Sequence, residues 1–383
     1  MLVTNFDAPT GGVQKNSRLL LSKFNKRGLT TYVCARNYYG KARNEISEGT
    51  VVHRSPVVGS SMAVNGLIYL LDALVWLVSN RHRYDVVHCQ QMFGPTMVAA
   101  VAGFITRKPI LTRITLSGET GEANAVRKMP LAALRLKLIR RVAKWVALSA
   151  EMKDELVALG IDGERIRVIY NSTHMPPARA CDPHERSQMR AKLGIDAEPV
   201  AVFVGRISEE KRLVCLVDAW KQVVDRYPRS RLILLGEGGK YRNVETGLRE
   251  KVASDGLADA VEFKGHVENA KDFIVASDAF VLPSAAEGMS NALVEAFSCG
   301  ATIVATDIAA NREICIDGVN AILVPVDDPG ALAEAILTVF DSAELSRRLG
   351  ENARAKAEKE LSIETMVDSY IKCYREIVST STQ

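Results

Sequence analysis

Three short segments in the second half of the chain hold residues whose types and spacing could do chemistry. The first, 202–211 (VFVGRISEEK), is an apolar run that ends in Gly205-Arg206, with Lys211 five residues beyond the arginine. Arginine offers a planar bidentate donor fork and lysine a compact charge, so the two can converge on one anion, and a diphosphate suits the pair. A solvated loop leading into a helix would use the same residues. The second segment, 287–300 (EGMSNALVEAFSCG), carries Glu287 and Glu295 around a helix start. Ser290 or Asn291 suits the N-cap, the run from Ala292 is helical, and Gly300 suits the left-handed position past the helix end. Were 287–295 wholly helical, the two carboxylates would lie about 12 Å apart along the axis, too far to act on one atom. They must therefore have different partners. With Glu287 in the loop and Glu295 one turn inside the helix, the unpaired N–H groups around 290–293 form an anion site between them. A phosphate fits that gap, with a sugar hydroxyl on Glu287 and a ribose diol on Glu295, because an ionised carboxylate is acceptor-only. Helix capping alone would also account for a glutamate at this place. The third segment, Gly236-Glu237-Gly238-Gly239, puts small residues at a strand end, either for close approach of a ligand or as an ordinary turn.

The elements that must position these residues alternate along the chain. In the first half, 2–6, 31–35, 51–53, 85–89, 110–114, 144–148 and 167–170 read as strands separated by helical patterns, which indicates βαβ units and a parallel sheet. The stretch 171–190 has three prolines and no apolar periodicity, so it reads as a linker. The pattern then restarts, with strands at 200–204, 231–235, 261–263, 279–282, 302–305 and 321–324, which predicts a second doubly wound α/β domain with ligands at the carboxyl ends of its strands. The segment 331–378 is helical with polar faces. The domains are expected at 1–175, a linker at 176–195, a second domain at 196–360, and a C-terminal helix over 361–383 that packs back on the first.

Composition narrows the class. A chain of 383 residues exceeds one ordinary core, and 47% hydrophobic with 25% charged residues is that of a soluble globular protein. Seven scattered cysteines (Cys34, Cys89, Cys181, Cys215, Cys299, Cys315 and Cys373) argue against a disulfide framework, and the N-terminus lacks the features of a signal peptide, so a cytoplasmic location is expected. The longest apolar stretch, 67–78, is interrupted by Asp72 and falls short of the roughly 20 residues that span a bilayer; it reads as a buried or interfacial helix. A net charge of +4 is too mild to imply nucleic acid.

Several motifs fail. Gly236-Glu237-Gly238 follows a strand, but Tyr241 stands where a dinucleotide fingerprint needs glycine, and no phosphate-binding P-loop or G-x-S-x-G elbow occurs. The six histidines show no ligand spacing and there is no Asp-x-Asp, so no metal site and no cofactor is expected.

At these residues the sequence resembles the retaining GT-B glycosyltransferases of group 1, or family 4, whose signature is E-x7-E. Besides Glu287 and Glu295, the likeness includes Gly11-Gly12-Val13, Asp85-Val86-Val87-His88, Ala147-Leu148-Ser149, Val168-Ile169-Tyr170-Asn171, Gly205-Arg206 with Lys211, and Gly236-Glu237-Gly238. The resemblance implies two facing Rossmann-like domains with a cleft between them. It also implies transfer of a sugar, hexosyltransferase-like, from a nucleotide diphosphate donor with retained anomeric configuration and no metal. By that likeness Arg206 and Lys211 take the diphosphate and Glu295 the ribose. Glu287, with the backbone of Gly288, Met289, Ser290 and Asn291, takes the donor sugar, residues near Val267 line the nucleobase, and Gly11 and Gly12 face the phosphates and acceptor. Family frequency favours a uridine over a guanosine diphosphate sugar, and the expected acceptor is a lipid-linked or cell-surface glycan precursor, as in polysaccharide or lipopolysaccharide biosynthesis.

The chain departs from the pattern in the loop after 110–114, where many relatives carry a histidine; Arg113, Ser117 and Glu119 stand there instead without an assigned role. Asn171-Ser172, in place of the common Asn-Gly, reads as a turn variation. Between Glu122 and Glu151 lie seven basic residues and no acidic one in a helical run. A basic amphipathic helix fits an anionic membrane surface, and the solvated face of a core helix fits it equally. The alternatives on the same scaffold are a sugar-nucleotide epimerase, a phosphorylase or a non-catalytic sugar-nucleotide binding protein.

Overall fold

The structure, a computed structural model, describes residues 1–7, 12–115, 121–129, 131–239 and 242–381. It divides into two compact units: Met1–Asn171 with Glu364–Gln383, and Ser172–Ile363.

The first unit holds β1 (Thr31–Arg36), β2 (Asn44–Ser47), β3 (Thr50–Ser55), β4 (Val87–Cys89), β5 (Ile110–Arg113), β6 (Lys144–Ala147) and β7 (Ile166–Val168). Their order is β1-β3-β2 in one sheet and β4-β5-β6-β7 in the other, and Leu2 bridges Cys34 on β1 and Cys89 on β4 in parallel. The strand expected over 2–6 is thus a bridge at Leu2, with backbone bonds to β1 continuing through Val3 N to Cys34 O (3.1 Å) and Arg36 N to Thr4 O (3.2 Å), and Thr4 Oγ1 donating to Gln91 Oε1 (2.7 Å). β2 was not anticipated. It is exposed and lacks apolar alternation, and it pairs antiparallel with β3 across a Glu48-Gly49 turn in which both residues have positive φ.

The second unit holds β8 (Val200–Val204), β9 (Arg231–Leu235), β10 (Val261–Gly265), β11 (Ala279–Leu282), β12 (Ile303–Thr306) and β13 (Ile322–Val324), in the order β10-β9-β8-β11-β12-β13. Every pairing is parallel. β11 and β12 are buried along their whole length, which is why they read as continuous apolar runs. The chain steps outward from β8 to β10 and resumes on the other side at β11, so the strand order reverses between β8 and β11.

The linker expected over 176–195 is corrected. These residues belong to the second unit and include the helix Pro183–Leu193. Asp182 caps it by accepting from the amides of His184 and Glu185, Pro183 fills its first turn, and Gly194 ends it in the left-handed conformation. Apolar periodicity was absent because the helix is fastened by charge: Arg190 is buried, donates to Ala276 O (2.8 Å) and Glu198 (2.9 Å), and pairs with Asp278. The units divide instead at Asn171/Ser172 and Ile363/Glu364.

The helical tail is three helices, Pro329–Asp341, Ala343–Glu360 and Ile363–Ser381. Within the first unit the last of them is tied by Lys23–Glu364 (2.9 Å) and Arg27–Asp368 (2.8 Å), and by Phe24 against Tyr374. The basic run is likewise not one helix but two short ones, Glu122–Lys128 and Ala132–Ile139, with Pro130 between them in sequence. The apolar stretch 67–78 lies in a longer helix, Met62–Ser79, which is long and apolar enough to cross a membrane by length and composition alone, and which buries Asn65, Tyr69, Ala73 and Leu77 within the unit.

Candidate functional site

The point of strand reversal in the second unit is where the sequence-predicted residues gather. Gly205 follows β8, and its N–H bonds Leu235 O at 2.9 Å, which holds the ends of β8 and β9 together. The approach demands glycine on the other side: a Cβ on Gly236, whose φ is +131°, would stand 1.8 Å from Gly205 O. At Gly238 a Cβ would run into the Asn243 side chain at 1.9 Å, and the Gly238 amide donates to Glu245 (2.7 Å). That bond is the main reason the Glu245 carboxyl sits below its usual range. The Gly-Glu-Gly segment is therefore set by backbone packing. Glu237, between the glycines, accepts from the His266 amide at 3.2 Å, which fixes the start of the loop that contains Val267.

Beyond Gly205 the two predicted cations part. Arg206 is 61% exposed and reaches Glu210 at 3.2 Å, whereas Lys211, with a side chain 12% exposed, forms an ion pair with Glu287. They do not share one partner in this state. Glu210 carried no assignment from sequence; it accepts from Ser208 Oγ (2.8 Å), and its backbone carbonyl takes the Ala285 amide (2.8 Å), joining the loop after β8 to the loop after β11. Burial would raise its carboxyl, but backbone and Ser208 hydrogen bonds and the charges of Arg206 and Lys211 outweigh that and hold it below the usual range.

Glu287 lies in the loop after β11, where Ser284 Oγ also donates to it at 2.8 Å. The following helix is Asn291–Cys299, capped by Ser290 Oγ on the Leu293 amide (3.3 Å) and closed by Gly300 at φ +63°. Glu295 is buried one turn inside that helix. The separation of the two glutamates into loop and helix is as the spacing predicts. Ser284 was missed, and no spacing rule picks it out: it is held by the backbone, its carbonyl accepting from buried Thr306 Oγ1. Lys211, Ser284 and Glu287 together form a charged cluster at the carboxyl ends of β8 and β11. A helix N-terminus lies a few residues further along the chain, an arrangement suited to an anion and a hydroxyl-bearing group.

The first unit offers less. Gly12 opens the helix Gly12–Lys26, while Gly11, Ser117 and Glu119 lie outside the described residues. Arg113, at the end of β5, is 2% exposed, donates to Gln90 Oε1 (3.3 Å) and bonds Asn171 Oδ1. Asn171 also accepts from Asn16 (3.1 Å), so it is a node of a buried network rather than a simple turn variation. Glu122 is buried and accepts from the amides of Met92 (2.6 Å) and Thr115 (2.9 Å); burial pushes its carboxyl above the usual range despite those bonds. Among the described residues no group of three or more His, Cys, Asp and Glu side chains could hold a metal ion.

Two family models match the chain. Residues 198–342 match the glycosyl transferases group 1 and residues 10–174 match Glycosyltransferase Family 4. A D-inositol 3-phosphate glycosyltransferase of Streptomyces scabiei (strain 87.22) is 26% identical over 347 residues, 86% of this chain and 73% of the relative. A lipopolysaccharide core biosynthesis glycosyltransferase, LpsE, of Rhizobium meliloti (strain 1021) is 31% identical over 209 residues, 54% of this chain and 57% of the relative. The crystal structure of Anabaena Alr3699/HepE in complex with UDP and glucose superposes with a TM-score of 0.77 at 21% identity, covering 97% of each chain, and shows the GT-B fold. With each unit matched by its own family model, the chain belongs to the group 1 glycosyltransferases.

Proposed function

We propose that this glycosyltransferase takes its sugar from a nucleotide diphosphate donor held in the second unit, and transfers it with retention of anomeric configuration and without a metal ion. The observation that carries the reading is the Lys211–Glu287 ion pair at the strand reversal, with Ser284 on the same carboxylate. Arg206 and Lys211 take the diphosphate, and Glu295 takes the ribose. Glu287, with Gly288, Met289, Ser290 and Asn291, takes the sugar, and the loop at Val267 meets the base. As the glycosidic bond breaks, negative charge grows on the leaving diphosphate. Fixed cations and the N-terminus of Asn291–Cys299 oppose that charge, which is stabilisation realised most fully in the transition state. The departing phosphate oxygen takes the acceptor proton, so no protein base is required. A uridine diphosphate sugar is preferred to a guanosine diphosphate sugar, in keeping with the UDP bound in the Anabaena structure. A lipid-linked or cell-surface glycan precursor is the acceptor, in keeping with the lipopolysaccharide relative. Seven free thiols fit a cytoplasmic setting.

Calorimetric titration with UDP and GDP tests the donor site. Lys211→Ala and Arg206→Ala should each weaken nucleotide binding by roughly 1.5–3 kcal/mol, the range for hydrogen bonds to charged groups. Glu295→Ala should lose affinity for the nucleotide while keeping its affinity for inorganic diphosphate. Transfer activity should survive a chelator. Wild-type affinity in both cation variants sinks the donor site, and rescue of chelated enzyme by manganese or magnesium sinks metal independence.

A further inference from the structure

We propose that the first unit docks on an anionic lipid surface through the outer faces of three adjacent helices, Met62–Ser79, Gly94–Thr106 and Ala132–Ile139. The first of these is built the wrong way round for water. Its inner stripe is Asn65, Tyr69, Ala73 and Leu77, all buried. Its outer stripe is Val64, Leu67, Leu71 and Val75, with Leu67 59%, Leu71 55% and Val75 65% exposed. A solvent-facing stripe normally carries the charged residues of an amphipathic helix. The one acid in this helix, Asp72, is turned aside to accept from His53 (2.7 Å), Ser55 (2.6 Å) and Arg43 (2.8 Å).

The apolar surface continues onto the neighbours. Met62–Ser79 packs along Gly94–Thr106, which packs along Ala132–Ile139. The second helix has no charged residue and exposes Val101, Ile105 and Phe104, the last at 71%. Leu131 and Leu134, at the start of the third, are exposed as well. An apolar area running over three helices is larger than the scattered exposed side chains of a soluble surface and marks a contact with something apolar.

The charge around that area selects the occupant. Each helix runs back along the sheet before feeding a parallel strand, β4, β5 or β6, so the three C-terminal ends share one edge. Arg81 and Arg83 follow the first helix, Arg107 and Lys108 the second, and Arg140 and Arg141 the third. The Arg141 guanidinium lies 4.8 Å from the Phe104 ring, cation and apolar side chain side by side. Among the described residues the acids at this edge include Asp72, withdrawn as above, buried Glu122, exposed Asp85 at 3.5 Å from Lys108, and exposed Asp162 and Glu164 beside Arg165, which donates to Arg140 O (3.3 Å). A rim in which basic side chains outnumber acids, beside an apolar face, matches an anionic headgroup layer over acyl chains, with the long basic side chains reaching the headgroups. Met62–Ser79 lies on the bilayer and does not cross it, because its inner stripe and Asp72 are fastened within the unit. The proposal does not depend on the donor-site reading.

Flotation of the full chain with phosphatidylcholine vesicles, with and without phosphatidylglycerol, tests it, and needs no nucleotide. The protein should float only with phosphatidylglycerol present, and less as salt is raised. Leu67→Gln/Leu71→Gln/Val75→Gln should lose more than about ten-fold in vesicle affinity. Arg140→Gln/Arg141→Gln should lose about thirty-fold, from about 1 kcal/mol per basic residue at the surface. Ile46→Gln, an equally exposed apolar side chain on β2, should bind as wild type. Circular dichroism melts confirm that the variants fold, since every altered side chain is on the surface. Failure to float with anionic vesicles at low salt, or equal flotation of wild type and the triple variant, overturns the proposal. So does light scattering that shows a dimer abolished by the triple variant while vesicles are ignored, which would make the face an interface between copies of the chain.

Discussion

Both units place cations at the carboxyl ends of parallel strands, and they treat them in opposite ways. In the second unit Arg206 stands 61% exposed after β8, and Lys211 and Glu287 pair where the strand order reverses, each retaining about a tenth of its exposure. In the first unit Arg113, at the end of β5, is 2% exposed and committed to Gln90 and Asn171, and Asn171 is committed in turn to Asn16. A charge whose partners are all internal serves the architecture. A charge held at the strand reversal by a carboxylate that a ligand could displace or share is suited to binding, the role proposed for Arg206 and Lys211. The fold alone does not separate the two roles, because both strands end in the same kind of loop.

The largest test of this contrast is Arg113→Met. It removes a donor to two buried amide oxygens while keeping the side-chain length; Asn171 Oδ1 keeps its bond from Asn16, and Gln90 Oε1 loses its bond from the guanidinium in the interior. The expected loss is about 3 kcal/mol of stability. Hydrogen exchange should localise it to amides of the first unit, and nucleotide affinity should stay unchanged. Loss of nucleotide binding without loss of exchange protection would assign Arg113 to a ligand and break the contrast.

A smaller effect is expected from His88 on β4. Burial, above all, holds its imidazole well below the usual 6.5, with Nδ1 against the Tyr374 hydroxyl at 2.6 Å. The unfolded chain takes up a proton below pH 6.5 and the folded chain does not. The stability this group lends is therefore complete above pH 6.5 and is lost as pH falls toward the folded value, at ~1.4 kcal/mol per pH unit. Thermal melts between neutral pH and pH 5 should show that slope in wild type and a flatter one in His88→Gln. Equal slopes would mean that other groups govern acid sensitivity here.

The same contrast explains what the sequence could and could not tell. Strands buried on both faces, such as β8, β9 and β11, read directly as apolar runs because burial dictates their composition. Ser290 and Gly300 were legible as the ends of their helix because caps are local. Glu210 and Ser284 were not, since their roles come from tertiary closeness of the loops after β8 and β11, which no spacing along the chain encodes. The helix Pro183–Leu193 is hidden for the converse reason: its Asp-Pro start and Gly194 end are local signals, but its buried face relies on the ion-paired Arg190 instead of an apolar stripe, so the segment reads as a linker. Arg113 was noticed, yet only its hydrogen bonds reveal that it is spent internally.

The smallest stability effect should come from Arg206, the exposed cation proposed to take the donor diphosphate. Arg206 and Glu210 are separated by 3.2 Å with the guanidinium largely in water, and such pairs contribute roughly 0–1 kcal/mol. Arg206→Ala should thus leave the melting temperature almost unchanged while weakening nucleotide binding, the reverse of Arg113→Met. Glu210→Gln sharpens the point. The Glu210 carboxylate stays charged to below its usual range and holds Arg206 in the ligand-free protein, so a diphosphate must compete with it. Neutralising it should raise UDP affinity modestly, by up to about 1 kcal/mol in calorimetry, at little cost in stability. A fall in affinity would show instead that Glu210 positions Arg206 for the ligand, and that the exposed cation of the second unit is as much a built-in part of its surroundings as the buried one of the first.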